Sequence, residues 1–151
     1  MRRFWSVQSA DELTQEFRPR ADILAKLPWR TIDFVTMYTK LTHTALVNDV
    51  MEAVTEAWQY YAEQSGCSIF LGKDSWTTQP DNIALTLQDF EQRLRILVSH
   101  LYVCNGSTVL QQTCGLPMGV EPAPQLANLA CYAREARAAW RWLDRLDHPL
   151  H

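Results

Sequence analysis

The feature that most constrains how this chain can fold is a turn rich in glycine and proline. It leads directly into an apolar helical segment. Residues 112–129 read Q-T-C-G-L-P-M-G-V-E-P-A-P-Q-L-A-N-L. Gly115 and Gly119 have no Cβ, so their main chain can adopt conformations closed to other residues and can lie close to a flat ligand. Pro124 fits the first turn of a helix, where its missing N–H is not needed. The pattern predicts a ligand-facing turn followed by a helix that packs on a core.

This stretch resembles a sequence block of reverse transcriptases, in which a glycine-rich turn and the helix after it contact the template and the incoming nucleotide. The usual form of the block is G-x-P-Q-G-x-x-x-S-P-x-L-x-N. Met118 and Ala123 replace the usual Gln and Ser, and both replacements occur in the Penelope-like branch of the family. An ordinary helix with a Gly/Pro-rich lead-in is the alternative interpretation. The matching positions are Gly115, Pro117, Gly119, Pro124, Leu126 and Asn128.

An aspartate inside a β-favouring run marks a second block upstream. The run is Arg30–Val35, and Asp33 lies within it. A strand interior disfavours Asp, and burying an unpaired carboxylate is costly. We therefore expect this carboxylate at a strand end, where it binds a cation. For Asp33 taken alone, a turn or capping role is the alternative.

The surrounding residues Trp29–His43 resemble the first catalytic block of Penelope-like reverse transcriptases, D-x-x-x-L-Y-T-x-I-P-H. Thr42 stands where the family usually has Pro. The resemblance implies that Asp33 is catalytic and bridges two Mg²⁺ ions, with the carbonyl of Phe34 beside it. It implies that Tyr38 stacks beneath the sugar and excludes a 2′-hydroxyl, although a core aromatic is an equal alternative. The matching positions are Asp33, Met37, Tyr38, Thr39, Leu41 and His43.

The same resemblance implies a set of residues that contact nucleotide and template. Gln112 and the turn would lie against the template base and the incoming dNTP, and the complete enzyme would extend a DNA primer on an RNA template. The set implied by the two blocks is Phe34, Tyr38, Gln112, Gly115, Pro117, Met118, Gly119, Ala123, Pro124 and Asn128.

The second catalytic block of the family, a hydrophobic pair followed by Asp-Asp, is missing. Nucleotidyl transfer uses two Mg²⁺ ions to stabilise the attacking and leaving oxygens, and Mg²⁺ takes one or two protein carboxylates plus phosphates. No Asp-Asp dipeptide occurs in the 151 residues. Asp144 and Asp147 have the wrong spacing for a hairpin turn and are predicted on a solvated helix face. We therefore expect this chain to be inactive alone and to depend on a C-terminal palm and thumb segment.

The charge of the chain disfavours strong autonomous binding of nucleic acid. Its net charge is −3 and its pI is about 5.8, whereas polymerases gain much of their affinity by neutralising phosphates. Arg134, Arg137, Arg141 and Arg145 recur at helical spacing. We interpret them as a solvated helix face paired with Glu135 and Asp144, in preference to a nucleic-acid contact.

The cysteines and the N-terminal residues indicate where in the cell the protein is expected. The four cysteines show no C-x-x-C, which argues against a zinc site or a disulfide framework and favours an intracellular protein with reduced thiols. No signal peptide and no apolar run of membrane-spanning length is visible. The family makes the nucleus plausible, but the sequence carries no such address.

The remaining residues read as scaffold. Ser9–Glu12 forms a capping box whose helix is interrupted or ended at Pro19, and an apolar stripe predicts a helix over 44–64. Residues 66–82 form a variable surface loop, and Thr86 begins another helix. Asn105-Gly106 predicts a hairpin turn between 101–104 and 108–112.

The resemblance implies an α+β fold, an incomplete polymerase palm and fingers in which a short sheet with a hairpin packs against several helices. The chain would be a single partial domain over 1–151, with the resemblance covering about 31–135. Two alternatives stay open. The chain is a non-catalytic relic or domesticated helical interaction module, or it lies outside the family as an all-helical binding protein.

Overall fold

A computed structural model describes residues 9–26, 28, 37–116 and 120–147, with the main chain alone at 37–38 and 142–147. The chain divides into two compact units. The described residues up to position 28 belong to the smaller unit, and those from position 37 onward belong to the larger one.

The smaller unit is a run of short helical segments: α1 (Ala10–Phe17), a 3-10 turn (Arg18–Arg20) and α2 (Ala21–Leu24). The hydroxyl of Ser9 accepts a hydrogen bond from the Glu12 N–H at 3.1 Å, which confirms the predicted start of α1. Pro19 lies in the 3-10 turn that ends this helix. That prediction is also confirmed, because proline lacks the N–H that a continuing α-helix requires.

The larger unit contains four helices and two antiparallel hairpins among its described residues. The helices are α3 (Met37–Lys40), α4 (His43–Ser65), α5 (Leu87–Ser99) and α6 (Ala123–Asp147). The strands β1 (Phe70–Leu71) and β2 (Trp76–Thr77) pair with each other, as do β3 (Tyr102–Asn105) and β4 (Thr108–Gln111). The described chain is thus helix-rich α+β, and the all-helical alternative is wrong for it.

Helix α4 is the centre of the core. Thr42 caps its start by accepting a hydrogen bond from the Ala45 N–H at 3.3 Å, and Gly66 ends it in the left-handed conformation with φ of 65°. The apolar stripe behaves as predicted at Leu46 and Val50, which are fully buried. Burial of each such side chain stabilises the fold by about 1.5–3 kcal/mol. The core around them joins α4, α5 and α6 through Leu41, Leu46, Val47, Val50, Leu94, Val98, Leu116, Ala123, Leu126, Ala127 and Ala130.

Helix α5 begins at the residue that the sequence predicts. The Thr86 hydroxyl accepts from the Asp89 N–H at 3.1 Å, and the Asp89 carboxylate accepts from the Thr86 N–H at 3.0 Å. Hydrogen bonds from the Thr86 side chain and main chain hold the pKa of the Asp89 carboxyl below its ordinary value of 3.8. This reciprocal cap sets where α5 starts and so directs Leu94 and Val98 into the core.

Both hairpins differ from what the sequence predicts for their regions. Asn105 pairs with Thr108, so the two-residue turn is Gly106-Ser107, one residue later than predicted, with φ of 60° at Gly106. The region 66–82, predicted as a loop, holds the β1–β2 hairpin. Trp76 packs edge-on against Trp58 of α4, with ring centroids 5.0 Å apart. Strands of two residues are too short to produce the alternating pattern by which sequence predicts a strand.

Candidate functional site

Several predicted site residues lie outside the described part of the chain. These are Asp33, Phe34, Pro117, Met118 and Gly119. Tyr38 lies in α3, where only the main chain is described. The candidate site is therefore described from two regions. They are the last residues of the first block and the residues just before and just after positions 117–119.

Main-chain hydrogen bonds join those two regions in a contact that we call the clasp, made of Leu41–His43 and Cys114–Gly115. The Gly115 N–H donates to the Leu41 carbonyl at 2.6 Å, and Thr42 and Cys114 form an antiparallel bridge. The His43 Nε2 lies 3.1 Å from the Gly115 carbonyl oxygen, across 72 positions of sequence. The last residues of the first block therefore contact the first glycine of the second.

Gly115 has the backbone conformation that the sequence pattern requires of it. Its φ is 80°, in the left-handed region that a Cβ disfavours, and the residue is buried. Leu41 of the clasp and Leu116, which follows Gly115 in the chain, belong to the same core cluster. The predicted need for glycine is confirmed at Gly115, while Gly119 lies outside the described residues.

Gln112 and Cys114 extend the clasp by side-chain contacts. The Gln112 side-chain amide donates to the Cys114 carbonyl at 2.8 Å, and the Gln112 main-chain N–H donates to the Leu101 carbonyl at 2.8 Å. The Cys114 thiol lies 3.4 Å from the Thr39 carbonyl, to which it donates. Gln112, implied as a template contact, thus lies on the entry to the turn and braces its main chain.

The helix that follows the turn begins as predicted. Ala123 is the first residue of α6, its N–H donates to the Val120 carbonyl at 2.9 Å, and Pro124 lies in the first turn. Ala123 is only 1% exposed and packs in the core, whereas Pro124 and Asn128 are exposed on the helix surface. The structure therefore separates the implied contact set: Ala123 faces inward, and the other two lie on the surface.

A buried carboxylate that motif analysis missed lies in the middle of α4. Asp49 is 4% exposed, and its two oxygens accept from Arg134 Nε and Arg137 Nη2 of α6, each at 2.6 Å. Arg137 also pairs with Glu52. The hydrogen bond to Asp49 raises the pKa of the Arg137 guanidinium. We call these four residues the ion cluster; it ties α4 to α6.

The ion cluster gives two residues of the arginine face partners that the sequence analysis did not predict. Arg134 and Arg137 bond to Asp49 and Glu52 of α4, because a carboxylate buried on the inner face of α4 requires cations at close range. The predicted pairing of this face with Glu135 and Asp144 stays a prediction, since the side chain of Asp144 lies outside the described residues. The sequence does indicate that the Asp49 carboxylate is buried, since this residue lies between core positions of the apolar stripe. Arg141 is exposed, and the side chain of Arg145 is not described.

Two further observations bear on cations and anions. Among the described residues, no group of three or more His, Cys, Asp or Glu side chains is placed to hold a metal ion. An open groove of about 670 Å³ between α4 and α5 is lined by Glu52, Glu56 and Glu91. The Arg95 guanidinium at its edge pairs with Glu91 at 2.7 Å. This groove has the wrong charge for phosphate.

No helix in the described ranges is both long enough and apolar enough to cross a membrane.

Comparison of the chain with protein-family models, with curated proteins and with solved structures found no match. A functional assignment for this chain therefore depends on the two sequence blocks and on the contacts between them.

Proposed function

We propose that this chain is part of a Penelope-like reverse transcriptase, the part that carries the first catalytic aspartate and the glycine turn of the nucleotide site. The observation that supports this proposal is the clasp. In a polymerase both elements must surround the same nucleotide, because catalysis depends on holding the reacting groups in one geometry. Here the two blocks lie far apart in sequence, yet their ends are bonded to each other directly.

The placement of the helices also supports an incomplete palm and fingers. The first block leads into α4 through the cap at Thr42, and the glycine turn leads into α6 at Ala123. Both helices contribute to one core cluster. The clasp bonds the start of α4 to the segment that leads towards α6, and a shared site would need such proximity.

Asp33 is the metal ligand in this proposal. Mg²⁺ prefers hard oxygen ligands and takes one or two carboxylates from the protein, so this carboxylate fits one ion. When bound, Mg²⁺ would stabilise charge on the phosphate oxygens. The main chain of residues 115–119 would lie against the incoming base, and Tyr38 would exclude a 2′-hydroxyl. Because the 151 residues contain no Asp-Asp pair, the donor set for two ions is incomplete and the chain alone is inactive.

A non-catalytic role as an interaction module is the second candidate, and the β3–β4 hairpin favours it. All eight positions of the two strands are exposed. They include the large apolar side chains Tyr102, Val103, Val109 and Leu110. Exposed apolar groups in a cluster are typical of surfaces that contact another protein. In this alternative the glycine turn is retained for folding alone.

Primer extension tests the first candidate against the second. The assay uses an RNA template, a DNA primer, dNTPs and Mg²⁺ with the 151-residue chain. A parallel reaction uses the chain fused to an Asp-Asp and thumb segment from a Penelope-like reverse transcriptase. We expect the fusion to extend the primer and the chain alone to be inert. Asp33→Ala in the fusion should abolish extension, and Asp74→Ala, at an exposed position, should leave it unchanged.

Two results would contradict the proposal at different points. Robust synthesis by the 151-residue chain would contradict the two-metal argument. Undiminished synthesis by the fusion after Asp33→Ala would contradict the assignment of the metal ligand. A fusion that makes no product while its folded state is intact would favour the interaction module.

A further inference from the structure

We propose that His43 is a positioning residue for Gly115, the first residue of the glycine turn: it fixes the Gly115 carbonyl and thereby the backbone conformation of this residue. The part of this inference that concerns nucleotide binding rests on the proposed function. The geometric part stands on the clasp alone, and the two parts are tested separately below.

Gly115 is held on both of its sides. Its N–H donates to the Leu41 carbonyl at 2.6 Å, and its carbonyl is 3.1 Å from His43 Nε2. These two groups belong to the successive peptide planes that flank the Gly115 Cα, so the two bonds together fix its φ and ψ. Glycine needs such a restraint because it populates both signs of φ readily. Without the His43 bond, the bond from the Gly115 N–H to the Leu41 carbonyl would still hold the incoming plane.

The imidazole is carried by a rigid support. His43 is the first residue of α4, a helix of 23 residues whose start is capped by Thr42 and whose next turn is buried in the core at Leu46. The ring is half-buried and reaches the turn from this fixed point. Its position is therefore set by the helix and not by the turn that it contacts, as a positioning role requires.

The chemistry of the contact fixes the role of one ring nitrogen. A carbonyl oxygen can only accept, so Nε2 carries the proton and donates it. The neutral ring must then be the Nε2–H tautomer. A glutamine at this position has amide N–H donors on a side chain of comparable reach, whereas a phenylalanine keeps a ring of similar size and has no donor. His43→Gln and His43→Phe therefore form a matched pair.

Nuclear magnetic resonance on the 151-residue chain tests the geometric part. Ring ¹⁵N shifts should show the Nε2–H tautomer for His43. The Gly115 amide should exchange with solvent about fivefold faster in His43→Phe, the change expected from loss of one hydrogen bond of ordinary strength. In His43→Gln its exchange should stay within about twofold of the parent chain. The Ala130 amide in α6 should be unchanged in all three proteins.

Three outcomes would overturn the geometric part. They are a neutral Nδ1–H tautomer, unchanged exchange at Gly115 in His43→Phe, and faster Gly115 exchange in a folded His43→Gln variant. If His43→Phe also exposes Ala130 by partial unfolding, the glutamine variant decides alone: slow Gly115 exchange supports the inference and fast exchange overturns it.

Titration with a dNTP and Mg²⁺ tests the nucleotide part, with the amide shifts of Leu116 and Val120 as readout. We expect His43→Phe to weaken the affinity at least about threefold and His43→Gln to restore it. Equal affinity in the parent chain and in His43→Phe would overturn the nucleotide part. Absence of any shift in the parent chain would contradict the proposed function instead, and the tautomer and exchange results would still stand.

Discussion

Two of the contacts that tie helix α4 and the residues before it to distant parts of the sequence are built from different atoms. At its start the clasp joins Leu41–His43 to Cys114–Gly115, mostly by main-chain donors and acceptors. In its middle the ion cluster joins Asp49 and Glu52 to Arg134 and Arg137 entirely by side chains. Both contacts span more than seventy positions, as the separations of 72 and 85 residues show.

The difference between the clasp and the ion cluster indicates which side chains are available to contact a ligand. Where the main chain makes the contact, side chains are left available, and the clasp is the region that bears the sequence blocks. Where side chains make the contact, their identity is fixed by packing, and the ion cluster is scaffold. Side-chain substitutions should therefore affect folding strongly in the ion cluster, whereas in the clasp the exposed Cys114 should tolerate substitution.

The largest effect should come from removing both cations of the ion cluster. The double substitution Arg134→Ala and Arg137→Ala leaves the Asp49 carboxylate buried without a partner, which should lower the free energy of unfolding by about 3 kcal/mol. Urea denaturation measures the change. Arg93→Ala, at an exposed position of α5, is the control and should change it by less than about 0.5 kcal/mol. A loss below about 1 kcal/mol in the double variant would mean that water replaces the arginines.

Substitution of Gly115 should have an intermediate effect. At φ of 80°, alanine should cost about 1–2 kcal/mol of stability from left-handed strain. Gly106→Ala is a matched control, because Gly106 has φ of 60° and no atom within 4 Å of an added Cβ. If the backbone angle is the only constraint on Gly115, urea denaturation should show a similar decrease in the free energy of unfolding for both variants. A Gly115→Ala variant as stable as the parent chain would refute the conformation described for the clasp.

The sequence predicts the local elements of this fold better than its long-range contacts. Helix starts are set by neighbours, so the caps at Ser9 and Thr86 are readable from sequence. The apolar stripe of α4 and the conformational demand at Gly115 are likewise local properties. Both depend on residues within a few positions of each other, where periodicity and turn chemistry act.

The ion cluster could not be predicted in the same way. Asp49 and its arginines are 85 and 88 residues apart, and the sequence of each helix is also consistent with pairing inside that helix. Similarly, the two blocks identify Leu41, His43 and Gly115 as matching positions, but no rule of spacing states that they bond to one another. Contacts of this kind become visible only when the helices are placed.

The smallest effect should come from Cys114. Its bridge to Thr42 is made by the main chain, so Cys114→Ala should change the free energy of unfolding by less than about 0.5 kcal/mol and leave the Gly115 amide protected. The thiol contributes only a weak donor to the Thr39 carbonyl at 3.4 Å. A loss above about 1 kcal/mol would show that the clasp depends on this side chain and would remove the contrast with the ion cluster.

Paramagnetic relaxation by Mn²⁺ is the most direct test of whether the carboxylate of Asp33 and the glycine turn share one site. Mn²⁺ accepts the oxygen ligands that suit Mg²⁺ and broadens the signals of nearby nuclei. In the presence of a dNTP, Mn²⁺ should broaden the amides of Gly115 and Leu116, and Asp33→Asn should abolish the broadening while Asp74→Asn preserves it. Broadening that survives in Asp33→Asn, or sharp signals in the parent chain, would contradict the shared site.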